Sequence, residues 1–268
     1  MAGTKMGVIG SGGRMGRMLV AEIAASPGCT LAGGCAKPGS GYVNQDIGEL
    51  AAIGRLGIAV GDNAEKVIRD SDVVIDFTAP AATAAHAALA ASLRKPMVVG
   101  TTGLSPDEAD AVRHAAREIP IVWAPNMSLG INLLLGIVEE VACRLGPDWD
   151  VEIMEMHHRA KVDAPSGTAL ALGRAVADGR GAVLEEVQQR ARDGITGPRR
   201  TGGIGFASLR GGDAIGDHQV VFAGAGERLE LTHRATSRVV YAKGAVQAAR
   251  WVVGRPPGLY GLKEVLGL

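Results

Sequence analysis

Short apolar runs alternate with amphipathic stretches through the first half of the chain. Met6 to Gly10 (MGVIG) predicts a buried strand, Gly12 and Gly13 a turn, and Arg14 to Ala25 an amphipathic helix. Thr30 to Cys35 predicts the next strand, Pro38 to Leu56 an irregular Gly-rich excursion, and Gly57 to Val60 a further strand. Asp62 to Asp70 reads as a short helix capped by Asp62 or Asn63. Strand signals at Asp72 to Phe77, Pro96 to Gly100 and Ile119 to Trp123 are separated by helical stretches. These stretches are Pro80 to Leu93 and the helix opened by Ser105-Pro106-Asp107-Glu108. Such a rhythm predicts a doubly wound parallel sheet.

The rhythm changes after Asn126. A helix is expected over Leu129 to Cys143, a half-buried strand over Val151 to His158, and a helix over Ser166 to Asp178 with Ser166 as its cap. Gly194 to Thr236 reads as strands and Gly-rich loops, clearest at Val220 to Ala223 and Arg228 to His233. A last helix over Tyr241 to Val253 is broken by Pro256 and Pro257. The fold class is α/β, with a Rossmann-like dinucleotide-binding domain over 1–127 and an α+β domain over 128–238.

Composition narrows the classes. A chain of 268 residues that is 47% hydrophobic can bury two cores, which a disordered chain cannot. Lys plus Arg is 28 and Asp plus Glu is 28, so nothing in the balance points to nucleic acid or a membrane surface. The 39 glycines follow no three-residue period, which excludes collagen. Cys29, Cys35 and Cys143 make neither a disulfide framework nor a zinc pattern, and all three read as small buried apolar residues. Met1 to Lys5 leads straight into a strand and does not read as a signal peptide; the cytoplasm is the expected location.

Two segments carry chemistry. Gly10-Ser11-Gly12-Gly13-Arg14-Met15-Gly16 lies between a strand and a helix, with its third glycine one place later than G-x-G-x-x-G requires. Gly10 permits a tight turn, Gly12 lets backbone approach a pyrophosphate, and Gly16 permits close helix–sheet packing. Free amides at the helix start favour phosphate, and Arg14 adds a cation. The usual acidic residue after the second strand is missing: Ala36-Lys37 stands there, so Lys37 is a candidate partner for a 2′-phosphate, with a solvated surface lysine as the alternative.

The second segment runs from Glu155 to Thr168 (EMHHRAKVDAPSGT). His157 is a candidate general acid near neutral pH. His158 and Lys161 are candidates for a substrate carboxylate, beside the Gly167 and Thr168 amides at a helix start. A metal is not expected, because adjacent His157 and His158 on a strand point to opposite faces.

Together these segments closely resemble the 4-hydroxy-tetrahydrodipicolinate reductase family, also called dihydrodipicolinate reductase. The hallmark runs stand here as GSGGRMG (10–16), DFTAP (76–80), GTTG (100–103) and APNMSLG (124–130). HHRAKVDAPSGTAL (157–170), GGIGFASLRGGD (202–213) and GERLELTHRATSR (226–238) continue them. The likeness spans nearly the whole chain, and the run from His157 is highly specific.

The resemblance implies a reductase of diaminopimelate and lysine biosynthesis, which adds hydride from NADPH or NADH at C4 of a dehydrated cyclic dicarboxylate imine. It implies cofactor contacts at Gly10, Ser11, Gly12, Gly13, Arg14, Met15, Ala36, Lys37, Gly100, Thr101, Thr102, Ala124, Pro125, Asn126 and Met127. It implies His157 and Lys161 as catalytic groups, with His158, Lys161, Gly167 and Thr168 on the substrate carboxylates. A homotetramer joined through the second domain's sheet, interdomain closure, and return of 239–268 to the first domain are implied as well. Two departures stand out. Ala36 replaces the acidic ribose ligand, which weakens a preference for NADH, and Met127 stands where relatives often carry Phe. A dinucleotide sensor without catalysis, or an oxidoreductase for another small carboxylate, are the competing readings; substrate-dependent oxidation of NADPH or NADH separates them.

Overall fold

A computed structural model describes residues 3–268; Met1 and Ala2, part of the expected lead into the first strand, lie outside the described residues. The chain forms two compact units. The first runs to Leu129 and resumes at Val239–Leu268; the second is Gly130–Arg238.

The first unit is built on β1 (Thr4–Ile9), α1 (Arg14–Ala25), β2 (Cys29–Cys35), α2 (Ile47–Leu50), α3 (Ala64–Asp70), β3 (Val73–Asp76), α4 (Pro80–Ser92), β4 (Met97–Val99), α5 (Pro106–Ala115) and β5 (Pro120–Trp123). The four residues of β3 are all buried, as expected for strands covered by helices on both faces. Asn63 rather than Asp62 caps α3, its side chain accepting from the Lys66 amide at 3.1 Å. Ser105 and Glu108 form the reciprocal cap of α5.

α6 (Leu129–Leu145), β6 (Asp150–His157), α7 (Gly167–Gly179), α8 (Leu184–Val187), β7 (Gln188–Gln189), β8 (Ile204–Arg210), β9 (Gly216–Gly224) and β10 (Glu227–Ala235) follow. Then α9 (Val239–Val252), β11 (Gly258–Tyr260) and α10 (Leu262–Leu266) complete the first unit. The first sheet has the order β11-β5-β4-β3-β1-β2, parallel throughout. One core, on Leu19, Ile23, Val246 and Ala249, joins α1 and α9 to one face; a second, on Ile68, Ala87 and Val112, covers the other. The second sheet, β10-β9-β6-β8-β7, is mixed: β6 runs antiparallel to β9 and parallel to β8. Its core gathers Val138, Ile153, Leu172, Val176, Phe206 and Phe222.

Two expectations are corrected. Gly57 to Val60 is no strand. The Asp46 carboxylate instead accepts from the amides of Gly48, Glu49, Leu56 and Gly57 at 2.7–3.1 Å, folding the segment around one side chain. Only Cys35 of the three cysteines is buried; Cys29 is half-buried and Cys143 is exposed, because it lies on the outer side of α6. The last helix ends before Pro256 and Pro257, as expected, and Gly258–Tyr260 then pairs with β5 as an edge strand.

Candidate active site

In the first unit, the expected cofactor segments sit at the carboxyl ends of neighbouring parallel strands, the position where such sheets bind ligands. The glycine loop is anchored across to the end of β2: the amides of Gly10 and Ser11 both donate to the Cys35 carbonyl, at 2.9 and 3.0 Å. Gly10 has φ +84°, and a Cβ on Gly16 would stand 2.1 Å from the Gly10 carbonyl oxygen. Both glycines are therefore required by the backbone. A Cβ on Gly12 would strike the Tyr42 ring at 2.4 Å, so packing of the 38–56 excursion also demands this glycine. Arg17 lies over that ring at 5.0 Å and bonds the Gly12 carbonyl.

Ser11 is fully buried, and its hydroxyl also bonds Cys35 O at 3.2 Å, so it shapes the loop from below. Gly13, Arg14 and Lys37 are exposed, and Met15 and Ala36 half-buried. The Arg14 and Met15 amides precede Arg17, whose amide closes onto Gly13 O. A strand–loop–helix with open first-turn amides and exposed cations fits a dinucleotide pyrophosphate.

The neighbouring loops are braced by a buried carboxylate. Asp76, at the end of β3, accepts from Thr78, Thr83 and Thr101 hydroxyls at 2.7, 3.0 and 3.2 Å, and lies 2.6 Å from His86 Nδ1. Thr101 is thereby fixed inside while Thr102 faces solvent. Phe77 packs over Gly100, where a Cβ would fall 2.0 Å from the ring. At the end of β5, Ala124 and Met127 are buried, Asn126 half-buried and Pro125 exposed. The Met127 carbonyl rests against α9 at Gly244, where a Cβ would be 1.7 Å away. Met127 is thus held through its backbone against α9 and through its buried side chain in the first unit's core.

The second unit gathers the other candidates where β6 ends. His157 is 9% exposed, and its Nδ1 donates to Glu155 Oε2 at 2.6 Å. The two residues share a face because they are two apart on a strand. Arg210 grips the same carboxylate through Nη1 and Nη2, both at 2.8 Å, and the Ser166 amide donates to Oε1 at 3.2 Å. Burial alone would raise the Glu155 carboxyl. Hydrogen bonds from Arg210, His157 and Ser208 outweigh it and hold the group at about 2.

His218 stands opposite Glu155 on β9, its ring edge-on to His157 at 5.2 Å. Burial, then the charge of His157, push it down to about 4, so it is neutral near pH 7. Its Nε2 meets the Ser166 hydroxyl at 3.2 Å. Ser166 caps α7 by accepting from the Ala169 amide at 3.1 Å. Gly167 opens that helix, exposed, with nothing within 4 Å of where a Cβ would stand. Thr168 and His158 are half-buried. Lys161 Nζ lies 2.7 Å from Asp163 Oδ1.

Glu155, Arg210 and His218 were not singled out from the sequence. Glu155 had a usable signal, the i, i+2 spacing to His157 in an alternating strand. Arg210 reaches the site only because β8 pairs beside β6, 53 residues on, with Arg210 registered opposite His157. Among the described residues, no group of His, Cys, Asp and Glu has the arrangement of a metal site, and no helix is long and apolar enough to cross a membrane.

Comparison with known proteins agrees across both units. Residues 4–127 match the model described as dihydrodipicolinate reductase, N-terminus, and residues 130–266 the model for its C-terminus. The chain is 52% identical over 263 residues to 4-hydroxy-tetrahydrodipicolinate reductase of Magnetococcus marinus, covering 98% of each chain. It is 51% identical to the reductase of that name from Brucella abortus, over 97% of this chain and 98% of the relative. Among solved structures, dipicolinate-bound dihydrodipicolinate reductase from Paenisporosarcina sp. TG-14 superposes with a TM-score of 0.78 at 25% identity, over 98% of this chain and 99% of the other. Amine dehydrogenase from Mycobacterium smegmatis shares the fold, with a TM-score of 0.60 at 14% identity over 96% and 94%.

Proposed function

Because the chain belongs to the 4-hydroxy-tetrahydrodipicolinate reductase family, we propose that His157 and Lys161 carry the proton chemistry and substrate charge of that family's reaction on a site built by the second unit. The enzyme reduces the dehydrated form of 4-hydroxy-tetrahydrodipicolinate to tetrahydrodipicolinate with NAD(P)H, in diaminopimelate and lysine biosynthesis.

A bound nicotinamide supplies the hydride. The chain's own groups do the rest. Gly10, Gly12, Gly13, Arg14 and Met15 cradle the pyrophosphate, Ser11 holds the loop's shape, and Gly100 to Thr102 with Ala124 to Met127 line the ends of β4 and β5. His157, bonded through Nδ1, presents Nε2 as the proton-exchanging atom. Lys161 and the start of α7 at Gly167 and Thr168 receive the carboxylates, with His158 beside them. Negative charge that develops on the conjugated imine is met by this cationic cluster, and a proton completes the reduction.

The observation that carries this assignment is the His157–Glu155 pair standing beside the Ser166 cap of α7, one carboxylate joining acid and anion site. We take NADPH and NADH both to serve, the assembly to be a homotetramer joined through the second unit's sheet, and the location to be the cytoplasm. The substrate is a small cyclic dicarboxylate, in keeping with the dipicolinate named for the Paenisporosarcina structure.

The test is consumption of NADPH or NADH by the purified chain, dependent on the product of dihydrodipicolinate synthase. His157→Gln should lower kcat by about 10²–10⁴-fold, the scale of lost general acid catalysis. Near-normal turnover in a folded variant removes His157 from this role.

A further inference from the structure

We propose that Glu155 is a positioning residue for this reaction: it dictates which ring nitrogen of His157 carries the exchangeable proton and ties that ring to the substrate-binding start of α7. The proposal rests on the reading of His157 as the proton donor.

Glu155 is 1% exposed, and both its oxygens are fully engaged. Oε1 accepts from the Ser166 amide and from Arg210 Nη2; Oε2 accepts from Arg210 Nη1 and from His157 Nδ1. The Ser166 amide and the two Arg210 nitrogens can do nothing but donate, and the Ser208 hydroxyl adds a further donor to the carboxylate. The guanidinium neutralises the buried carboxylate and keeps it ionised, so it offers no proton to the ring. Nδ1 of His157 must therefore be an N–H, in the charged ring and in the neutral one alike. Nε2 alone is left to exchange, and it faces Gly216, where a Cβ would stand only 3.1 Å away. The neutral ring in water favours the opposite tautomer, so the pairing reverses an ordinary preference.

The consequence for chemistry is direct. The charged ring gives its Nε2 proton to the substrate while hydride supplies the electron pair. The ring then becomes the neutral Nδ1–H form without rearranging, and Nε2 regains a proton from water. Arg210 on β8 lies in register with His157 and the His218 ring on β9 stands edge-on to it, while Lys161 and Asp163 follow on the loop after β6. His218 is kept neutral, and Lys161 is paired to Asp163, so neither offers Nδ1 an alternative partner. Arg210 also donates to the Asp163 carbonyl at 2.5 Å, so the same clamp holds the loop that carries Lys161.

Glu155→Gln is the discriminating change. Two obligatory donors, the Ser166 amide and Arg210 Nη2, face the Oε1 position against one, Arg210 Nη1, at the Oε2 position, so the amide oxygen takes the Oε1 side and the NH₂ turns to His157 Nδ1, which then accepts. Nitrogen-15 spectra of the neutral ring should show Nδ1–H in the parent enzyme and Nε2–H in E155Q. Turnover should fall roughly 10²-fold, the lower end of what general acid catalysis supplies. Affinity for dipicolinate should hold within about threefold. Added to His157→Gln, E155Q should cost nothing further, because its effect runs through that ring.

An unchanged tautomer, or a full additional loss in the double variant, overturns the proposal. If the unpaired Arg210 prevents E155Q from folding, the variant carrying E155Q with Arg210→Met removes both charges. It keeps the Ser166 amide to orient the Gln, and the same spectra decide. Should His157→Gln itself retain turnover, the proton-donor reading falls, while the spectra still report whether Glu155 governs the ring.

Discussion

The ammonium of Lys161 is held 2.7 Å from the carboxylate of Asp163, which is itself half-exposed. The hydrogen bond from Lys161 holds the Asp163 carboxyl below its ordinary range. In the proposed role of Lys161, a substrate carboxylate competes with this internal partner. Asp163→Asn should tighten dipicolinate binding by up to about fivefold, the equivalent of the roughly 1 kcal/mol that an exposed ion pair contributes at most. Lys161→Ala should weaken binding and lower kcat together. Calorimetric titration at two salt concentrations checks both, since the Asp163 effect should shrink as salt rises. Unchanged binding in both variants would make Lys161 an ordinary surface cation.

Gly167 offers a clean steric probe of the anion site. A methyl group there touches nothing within 4 Å, and the residue already begins a helix. Gly167→Ala should leave the melting temperature unchanged or slightly raised, since Ala is the better helix former. It should raise KM for the cyclic substrate by about tenfold through obstruction of the backbone amides. KM for the nicotinamide cofactor should not move. A parallel rise in both constants would indicate disturbance beyond the anion site.

Acid should weaken the second unit in two overlapping steps. The His218 value is depressed from 6.5 to about 4 by burial, so its neutral form is the folded one. Stability from this term is whole above pH 6.5 and is lost as pH falls toward 4. Glu155 is depressed from 4.5 to about 2, so its contribution is whole above pH 4.5 and disappears as pH falls toward 2. Each shift corresponds to something on the order of 3 kcal/mol. Denaturant unfolding between pH 7 and pH 3 should show the loss beginning above the carboxylate range. His218→Gln should reduce that early part, to which the downward shift that burial gives His233 on β10 also contributes, and leave the later one. A stability flat from pH 7 to pH 5 would refute the His218 assignment.

The proposed use of both cofactors rests on Ala36 and Lys37. Ala36 stands directly after β2, where an acidic residue would bind an unphosphorylated ribose and repel a 2′-phosphate, and Lys37 is exposed. NADPH should be used at least as well as NADH, measured as kcat/KM for each at fixed ionic strength. Lys37→Ala should cost NADPH more than NADH, by a margin that salt reduces. A strong NADH preference in the parent chain would overturn the first expectation; equal losses would overturn the assignment to Lys37.

Much was legible along the chain because local chemistry dictates it. Asn63 and Ser105 sit where side-chain caps are needed, Gly10 and Gly16 where only glycine fits, and the apolar runs from Met6 to Trp123 mark strands buried on both faces. His157, Lys161 and Gly167 share one short segment, so their kinship needed no long-range information. The 57–60 segment misled because a β-like run of apolar residues was outweighed by one carboxylate, Asp46, gathering four amides.

What the sequence determined by itself was therefore the two-unit α/β plan, the glycine loop and the segment from Glu155 to Thr168 at the end of β6, since each depends on neighbours a few residues apart. What only the tertiary structure decided was the state of that segment's groups. Arg210 and His218 come from strands 53 and 61 residues beyond His157, and strand register alone places them at Glu155 and the imidazole. Burial depth, ionisation and the hydrogen bond to Nδ1 are properties of that enclosure, set by which donors the fold aims at one buried carboxylate.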